Sequence, residues 1–161
     1  STPTILDDVL GAITEKNPDL IYGDAWEQGK DGDIFYKRAK PHSGILNGLF
    51  THHQSIFYNR AALGSLRYDT SFRIAADYDL TLRFLKNKTR TCHYIDKPIC
   101  VFESGGISQK NIDTGRHEQC RSRKQNGTRL FHNTMISLRQ KLASAVREVC
   151  PALYHLSKQK K

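Results

Sequence analysis

The sequence predicts an α/β fold, and three observations predict it. Up to about residue 108, segments with helical spacing of apolar residues alternate with short β-prone runs bounded by Gly, Pro, Asn or Asp. Beyond Ile107 the composition shifts to Gln, Asn, Arg, Lys and Ser, and an amphipathic helical pattern follows. A chain of 161 residues with 38% hydrophobic content has material for one core and little to spare, so one compact unit with polar extensions is expected.

Thr4 caps a first helix over Ile5 to Lys16, with Asp7 and Asp8 in its first turn and Asn17-Pro18 ending it. Leu20-Ile21-Tyr22 is a short strand ending at Gly23-Asp24. The stretch from Gly29 to Asp33 is a turn before a second strand, Ile34-Phe35-Tyr36. After a linker from Pro41 to Gly48, a third strand runs from Gln54 to Tyr58, and Tyr68 to Phe72 forms a polar-aromatic loop. A helix from about Ala76 to Asn87 is the best-defined element. Two more strands follow, Thr91 to Ile95 and Ile99 to Phe102, separated by Asp96-Lys97-Pro98, and Gly105-Gly106 ends the body.

A polar helix from about Asn111 to Gln125 is broken at Asn126-Gly127. In the last helix Met135, Leu138, Leu142, Ala145, Val149 and Leu153 recur at spacings of three and four, up to the interruption at Pro151. Charge separates the two regions. Residues 1–108 hold 13 Lys and Arg against 13 Asp and Glu, whereas residues 109–161 hold 12 against 3, so the whole excess of +9 lies in the tail. A neutral body with a basic extension points to an anionic surface, phospholipid or nucleic acid.

The four cysteines, Cys92, Cys100, Cys120 and Cys150, show no metal-site or disulfide spacing and are expected as reduced thiols. No stretch approaches the roughly 18 apolar residues of a membrane span, and no signal-peptide pattern opens the chain, so a cytosolic location is the default expectation. The chain opens at Ser1-Thr2-Pro3 without an initiator methionine, as expected of a processed chain or one cut from something larger.

On a helical wheel at about 100° per residue, Asp77 lies within the apolar arc formed by Leu80, Phe84, Tyr78, Leu82 and Leu85. Asp79, Arg83 and Lys86 share the opposite face, where Asp79 and Arg83 have the spacing of a surface ion pair. A first-turn carboxylate aimed at the body has its proton affinity raised by desolvation, which suits a general base. The same position also suits an ordinary acidic residue at a helix start.

Five ordered motifs carry a resemblance. They are Leu20-Ile21-Tyr22-Gly23-Asp24, His52-His53-Gln54-Ser55-Ile56-Phe57, Arg67-Tyr68-Asp69-Thr70-Ser71-Phe72, Ala76-Asp77-Tyr78-Asp79-Leu80 with Arg83, and Phe102-Glu103-Ser104-Gly105-Gly106-Ile107-Ser108. Together, over about residues 4–108, they resemble the second half of family 2 glycosyltransferases, in particular bacterial enzymes of colanic acid and other surface polysaccharides. The resemblance implies the second half of a GT-A (nucleotide-diphospho-sugar transferase) domain: a mixed sheet with flanking helices and a C-terminal helical extension leading away. Residues 1–108 would be the acceptor-side half and residues 109–161 the basic extension.

Carried over by position, the family's catalytic base falls on Asp77, although Ala76 stands where many members have an acidic residue. His52, His53 and Gln54 match the stretch lining the acceptor side of the cleft, and Asp24 would face that cleft or simply end a solvated strand. Gly105, Gly106 and Ser108 match a turn that closes over the donor, and as turn formers they need no such role. The family's first half, with its Asp-x-Asp motif for a divalent metal, Mg²⁺ or Mn²⁺, has no counterpart here, so the metal's ligands are expected outside this chain and the fragment alone is expected to be inactive. Uncovered sheet edge and apolar surface would then lead to dimerisation or instability. The resemblance implies a nucleotide-sugar donor and a saccharide or lipid-linked acceptor; the basic tail would then contact the inner membrane face, or else pack on the body with a solvated charged face. A competing expectation is a non-catalytic module whose tail binds nucleic acid; against it, the aromatic residues sit in the neutral body and not among the basic residues.

Overall fold

A computed structural model describes residues 4–29 and 32–149, with side chains placed through Val146. Helix α1 (Ile5–Lys16) begins where expected. The Asp7 N–H donates to Thr4 Oγ1, the Thr4 N–H donates to Asp7 Oδ2, and Asn17 closes the helix in the left-handed region at φ 41°.

Strand β1 (Leu20–Gln28) is the middle of the sheet and runs well past its predicted end at Asp24. Gly23 therefore does not stop the strand. It lies where the neighbouring chain crosses close: a Cβ there would sit 2.9 Å from Ile99 side-chain carbons and 3.0 Å from the Lys97 carbonyl, and the register shifts between Gly23 and Ala25. A glycine inside a strand often marks such an approach.

Strand β2 (Ile34–Lys37) returns antiparallel on β1, the hairpin closed by the Gly29 N–H donating to the Asp33 carbonyl at 2.7 Å. Lys30 and Asp31 of that predicted turn lie outside the described residues. The Pro41 to Gly48 linker contains a 3-10 helix, His42–Asn47. The predicted third strand starts later than Gln54, because His53–Ser55 form a 3-10 turn and only Ile56–Tyr58 (β3) pair with β1. A short helix that the sequence reading missed, α2 (Arg60–Leu63), is capped by Asn59. Helix α3 (Ala76–Leu85) follows the polar-aromatic loop.

The two last predicted strands are one, β4 (Cys92–Glu103), parallel to β1 along its whole length. Asp96-Lys97-Pro98 is absorbed at the register shift, where a proline need not supply a ladder N–H. β4 thus occupies one edge of β1, while β2 and β3 divide the other, giving a mixed four-stranded sheet. Alternate residues of β1 face opposite sides. Ile21 packs with Val9 and Ala12 of α1, whereas Leu20 and Tyr22 pack with Tyr78, Leu82 and Phe84 of α3, so the two helices cover opposite faces.

A short helix α4 (Ile107–Lys110) leads into α5 (Ile112–Gln125) and then α6 (Leu130–Val149), with Gly127 at φ 84° in the break. These helices do not lead away from the body as expected. α5 lies on α3 and α6 on α5, and the fully buried Arg123 donates to Asn133 Oδ1 at 2.6 Å and to the Leu46 carbonyl at 3.2 Å. Packing is therefore continuous across residue 108. Arg147 onward lies outside the placed side chains, so Val149, Cys150, Pro151 and Leu153 of the predicted amphipathic pattern are not described. Cys92, Cys100 and Cys120 are free thiols.

Candidate active site

Asp77 occupies the first turn of α3, its side chain 28% exposed. Its Oδ1 accepts the Tyr78 N–H at 2.7 Å, and its Oδ2 stands 3.4 Å from Nδ1 of His53. Burial raises the proton affinity of this carboxyl above the ordinary carboxylate value and outweighs the opposing pull of the Tyr78 N–H and His53. A carboxylate half withdrawn from water, next to an exposed imidazole, is a proton acceptor with an open approach.

The helix start that aims Asp77 is held by a residue the sequence reading passed over. Ala75, at the N-cap, brings no side-chain acceptor. Instead Glu118 of α5 accepts the N–H groups of Arg73, Ile74 and Ala75 at 2.9, 2.8 and 2.8 Å. Burial works to raise the Glu118 carboxyl, but these three donors and nearby Arg121 prevail and hold it below its usual range. A carboxylate at a helix N-terminus is favoured by the exposed N–H groups and the helix dipole.

The second aspartate corrects the wheel reading. Asp79 is not on a solvated face: its side chain is 3% exposed, because α5 covers it. Arg83 Nε donates to Asp79 Oδ2 at 2.7 Å and the Ser122 hydroxyl donates to Oδ1 at 2.7 Å. Asp79 is thus tied up within the protein, whereas Asp77 keeps lone pairs available.

Of the predicted acceptor-side residues, His53 is brought to Asp77 and Gln54 is exposed beside it in the same turn. His52 turns elsewhere. Its ring stacks on Phe102 at 4.0 Å between centroids, and its Nε2 lies 3.3 Å from Glu27 Oε1, with Lys37 Nζ 3.1 Å from both. The His52 contact, aided by Lys37, overcomes burial and holds Glu27 down at about 2. Phe102 opens the fifth motif, whereas Glu27 and Lys37 belong to none, and only pairing of β1 with β2 and β4 assembles the three.

Asp24 is neither in an open cleft nor at a solvated strand end. It is fully buried in mid-strand, where Oδ1 accepts the Ala39 N–H and the Tyr94 hydroxyl, both at 2.7 Å, and Oδ2 accepts the Tyr36 hydroxyl. Those hydroxyls are held protonated: the bond to Asp24 pushes Tyr36 up to about 12, and burial followed by the same carboxylate raises Tyr94. Gly105 turns the chain after β4 at φ 96°, its N–H donating to Gln109 Oε1 at 2.5 Å, Gly106 caps α4, and Ser108 is exposed.

Among the described residues no group of three or more His, Cys, Asp or Glu side chains is placed to share a metal ion. A shallow concavity of about 370 Å³ between α1 and β4 is lined by none of the candidate residues.

The chain is similar to the PGL/p-HBAD biosynthesis glycosyltransferases of Mycobacterium bovis and Mycobacterium tuberculosis, with 30% identity over 117 residues. The shared region takes in 65% of this chain and 41% of each relative, so the chain spans about two fifths of the length of the relatives it matches. No family profile matches it, and no solved structure does.

Proposed function

We propose that this chain is the acceptor-side half of an inverting glycosyltransferase of family 2, with Asp77 as the base. Residues 1–108 supply the transferase half, and residues 109–161 form the basic extension whose start braces α3. The observation that carries this reading is the Asp77–His53 pair: a carboxylate of raised proton affinity at a helix start, 3.4 Å from a histidine of the segment expected to meet the acceptor. Similarity to the PGL/p-HBAD biosynthesis glycosyltransferases supports it.

In this mechanism Asp77 Oδ2 takes the proton of an acceptor hydroxyl while that oxygen attacks the anomeric carbon from the face opposite the leaving nucleoside diphosphate. One displacement inverts the centre, and no covalent intermediate forms. His53 orients the hydroxyl on the open side of Asp77, and Gln54 offers further hydrogen bonds to sugar oxygens. The Gly105 turn and Ser108 lie on the donor side. Asp24 and His52 act on the cleft only through the strands they brace. The described residues offer no group that fits a metal site; in this reading a Mg²⁺ or Mn²⁺ ion for the donor diphosphate would be held by ligands outside this chain, and the proton transfer at Asp77 is assigned to the carboxylate alone. The donor is a nucleotide sugar, the acceptor a saccharide or lipid-linked sugar of surface glycoconjugates such as polysaccharides of the colanic acid kind, and the compartment cytoplasmic.

The test is release of nucleoside diphosphate from a panel of nucleotide sugars by the chain joined to an upstream nucleotide-binding half. Asp77→Asn should reduce turnover about 10²- to 10⁴-fold with the fold intact, and His53→Ala should act mainly on acceptor KM. Equal turnover in Asp77→Asn and wild type would reduce Asp77 to a helix-start residue.

A further inference from the structure

Helix α6 is docked the wrong way round for a helix that exists to fill a core. It meets the body through Asn133, Ile136 and Gln140: Asn133 and Ile136 are buried, and the Gln140 amide donates to the Asn47 carbonyl and Gln119 Oε1. At 3.6 residues per turn, its apolar stripe of Phe131, Met135, Leu138, Leu142 and Val146 falls roughly on the opposite side. That stripe is open to solvent, with Phe131 78%, Leu138 50% and Leu142 57% exposed. Arg139 and Lys141 are exposed along its two rims, and no Asp or Glu occurs from Leu130 to Val146.

We infer that this face of α6 is a membrane-surface anchor that lies in the headgroup region of an anionic bilayer. The inference does not rest on the glycosyl-transfer reading. An apolar stripe with a cationic rim on each side is what a helix lying in the plane of such a surface presents, since side chains of the stripe leave water while the rim charges meet lipid phosphates. No described helix is long and apolar enough to cross a membrane, so α6 lies on the bilayer. The charge also selects among occupants. A second copy docked through the stripe would set Arg139 and Lys141 against the same cations, with no carboxylate on this stretch of helix to pair them. Nucleic acid would take the rim charges and leave the stripe in water.

Flotation of the chain with vesicles of phosphatidylcholine alone, or mixed with phosphatidylglycerol, tests the inference. Binding is expected to the mixed vesicles and not to phosphatidylcholine alone. Leu138→Gln with Leu142→Gln should weaken it by about tenfold or more, and Arg139→Gln with Lys141→Gln by about fivefold for each charge. All four side chains are exposed, so the fold is retained, and Leu138→Ala with Leu142→Ala repeats the apolar arm at full helix propensity. Three results would overturn the inference: vesicle binding indifferent to both leucine pairs, which is adsorption by charge alone; no vesicle binding with a concentration-dependent dimer that the leucine changes dissolve, which makes the face a self-association surface; or no vesicle binding by a monomer.

Discussion

Replacing Glu118 should loosen the start of α3, although Glu118 lies more than forty residues further along the chain. Three backbone donors depend on its carboxylate, and Ala75 offers no substitute at the N-cap. Loss of an N-cap acceptor costs about 1 kcal/mol, and each hydrogen bond to a charged group contributes about 1.5–3 kcal/mol when buried. The Glu118 carboxylate is only partly buried and water reaches the Arg73 end, so the total falls well short of three full bonds: about 2–3 kcal/mol for Glu118→Ala. Glu118→Gln keeps one acceptor oxygen and loses the charge at the helix start, so about 1 kcal/mol is expected. Urea unfolding followed by circular dichroism measures both.

The pH dependence adds a signature. The Glu118 carboxyl is depressed in the folded state, so its contribution is complete above its ordinary value of 4.5 and is lost as the pH falls through the lower folded value. The gap between wild type and Glu118→Gln should therefore narrow on acidification. A Glu118→Ala protein within about 0.5 kcal/mol of wild type would refute the claim that the tail braces the Asp77 helix.

Asp77 should behave in the opposite sense. Its folded-state proton affinity is raised by burial, so stability falls as the pH climbs from the ordinary 3.8 through the raised value, and Asp77→Asn should be more stable than wild type at neutral pH, with the advantage fading in acid. Asp24→Ala would leave the Ala39 N–H without its acceptor and take one acceptor from each of the Tyr36 and Tyr94 hydroxyls, of which Tyr94 keeps Asp96, and a loss of about 1–3 kcal/mol in urea unfolding is expected. Glu27 contributes stability that is complete above its ordinary 4.5 and disappears as the pH falls toward about 2; His52→Ala removes the largest cause of that depression, so acid titration of stability should show a smaller loss in this region.

What the sequence disclosed was local. Thr4, Asp7 and Asn17 determine α1 within one turn of each end, and the spacing of Leu80, Leu82 and Phe84 is enough to place Asp77 toward the body. The Asp77–His53 pair was legible as two separate motifs, not as a contact. Gly23 and Pro98 look like strand ends in sequence, and only the parallel crossing of β1 and β4 shows that they share one irregularity inside two long strands. The wheel that put Asp79 in water was sound for an isolated helix. It failed because Ser122 is 43 residues away in sequence, and periodicity carries no information about what covers a polar face. For the same reason the apolar stripe of α6 was visible while its outward orientation was not, since a wheel shows two faces without saying which is docked.

The Arg123 guanidinium is fully buried and bonds only to neutral groups of the described residues, among them the Leu46 carbonyl 77 positions earlier. That carbonyl belongs to the 3-10 helix between β2 and β3, so the same bond closes one of the longest loops in the molecule. The Leu46 end of that loop is made well before Arg123, and a loop of that length closes late. The nascent body therefore waits with the Leu46 oxygen still hydrated and the α3 start unbraced, and Asp77 acquires its final setting only when α5 arrives.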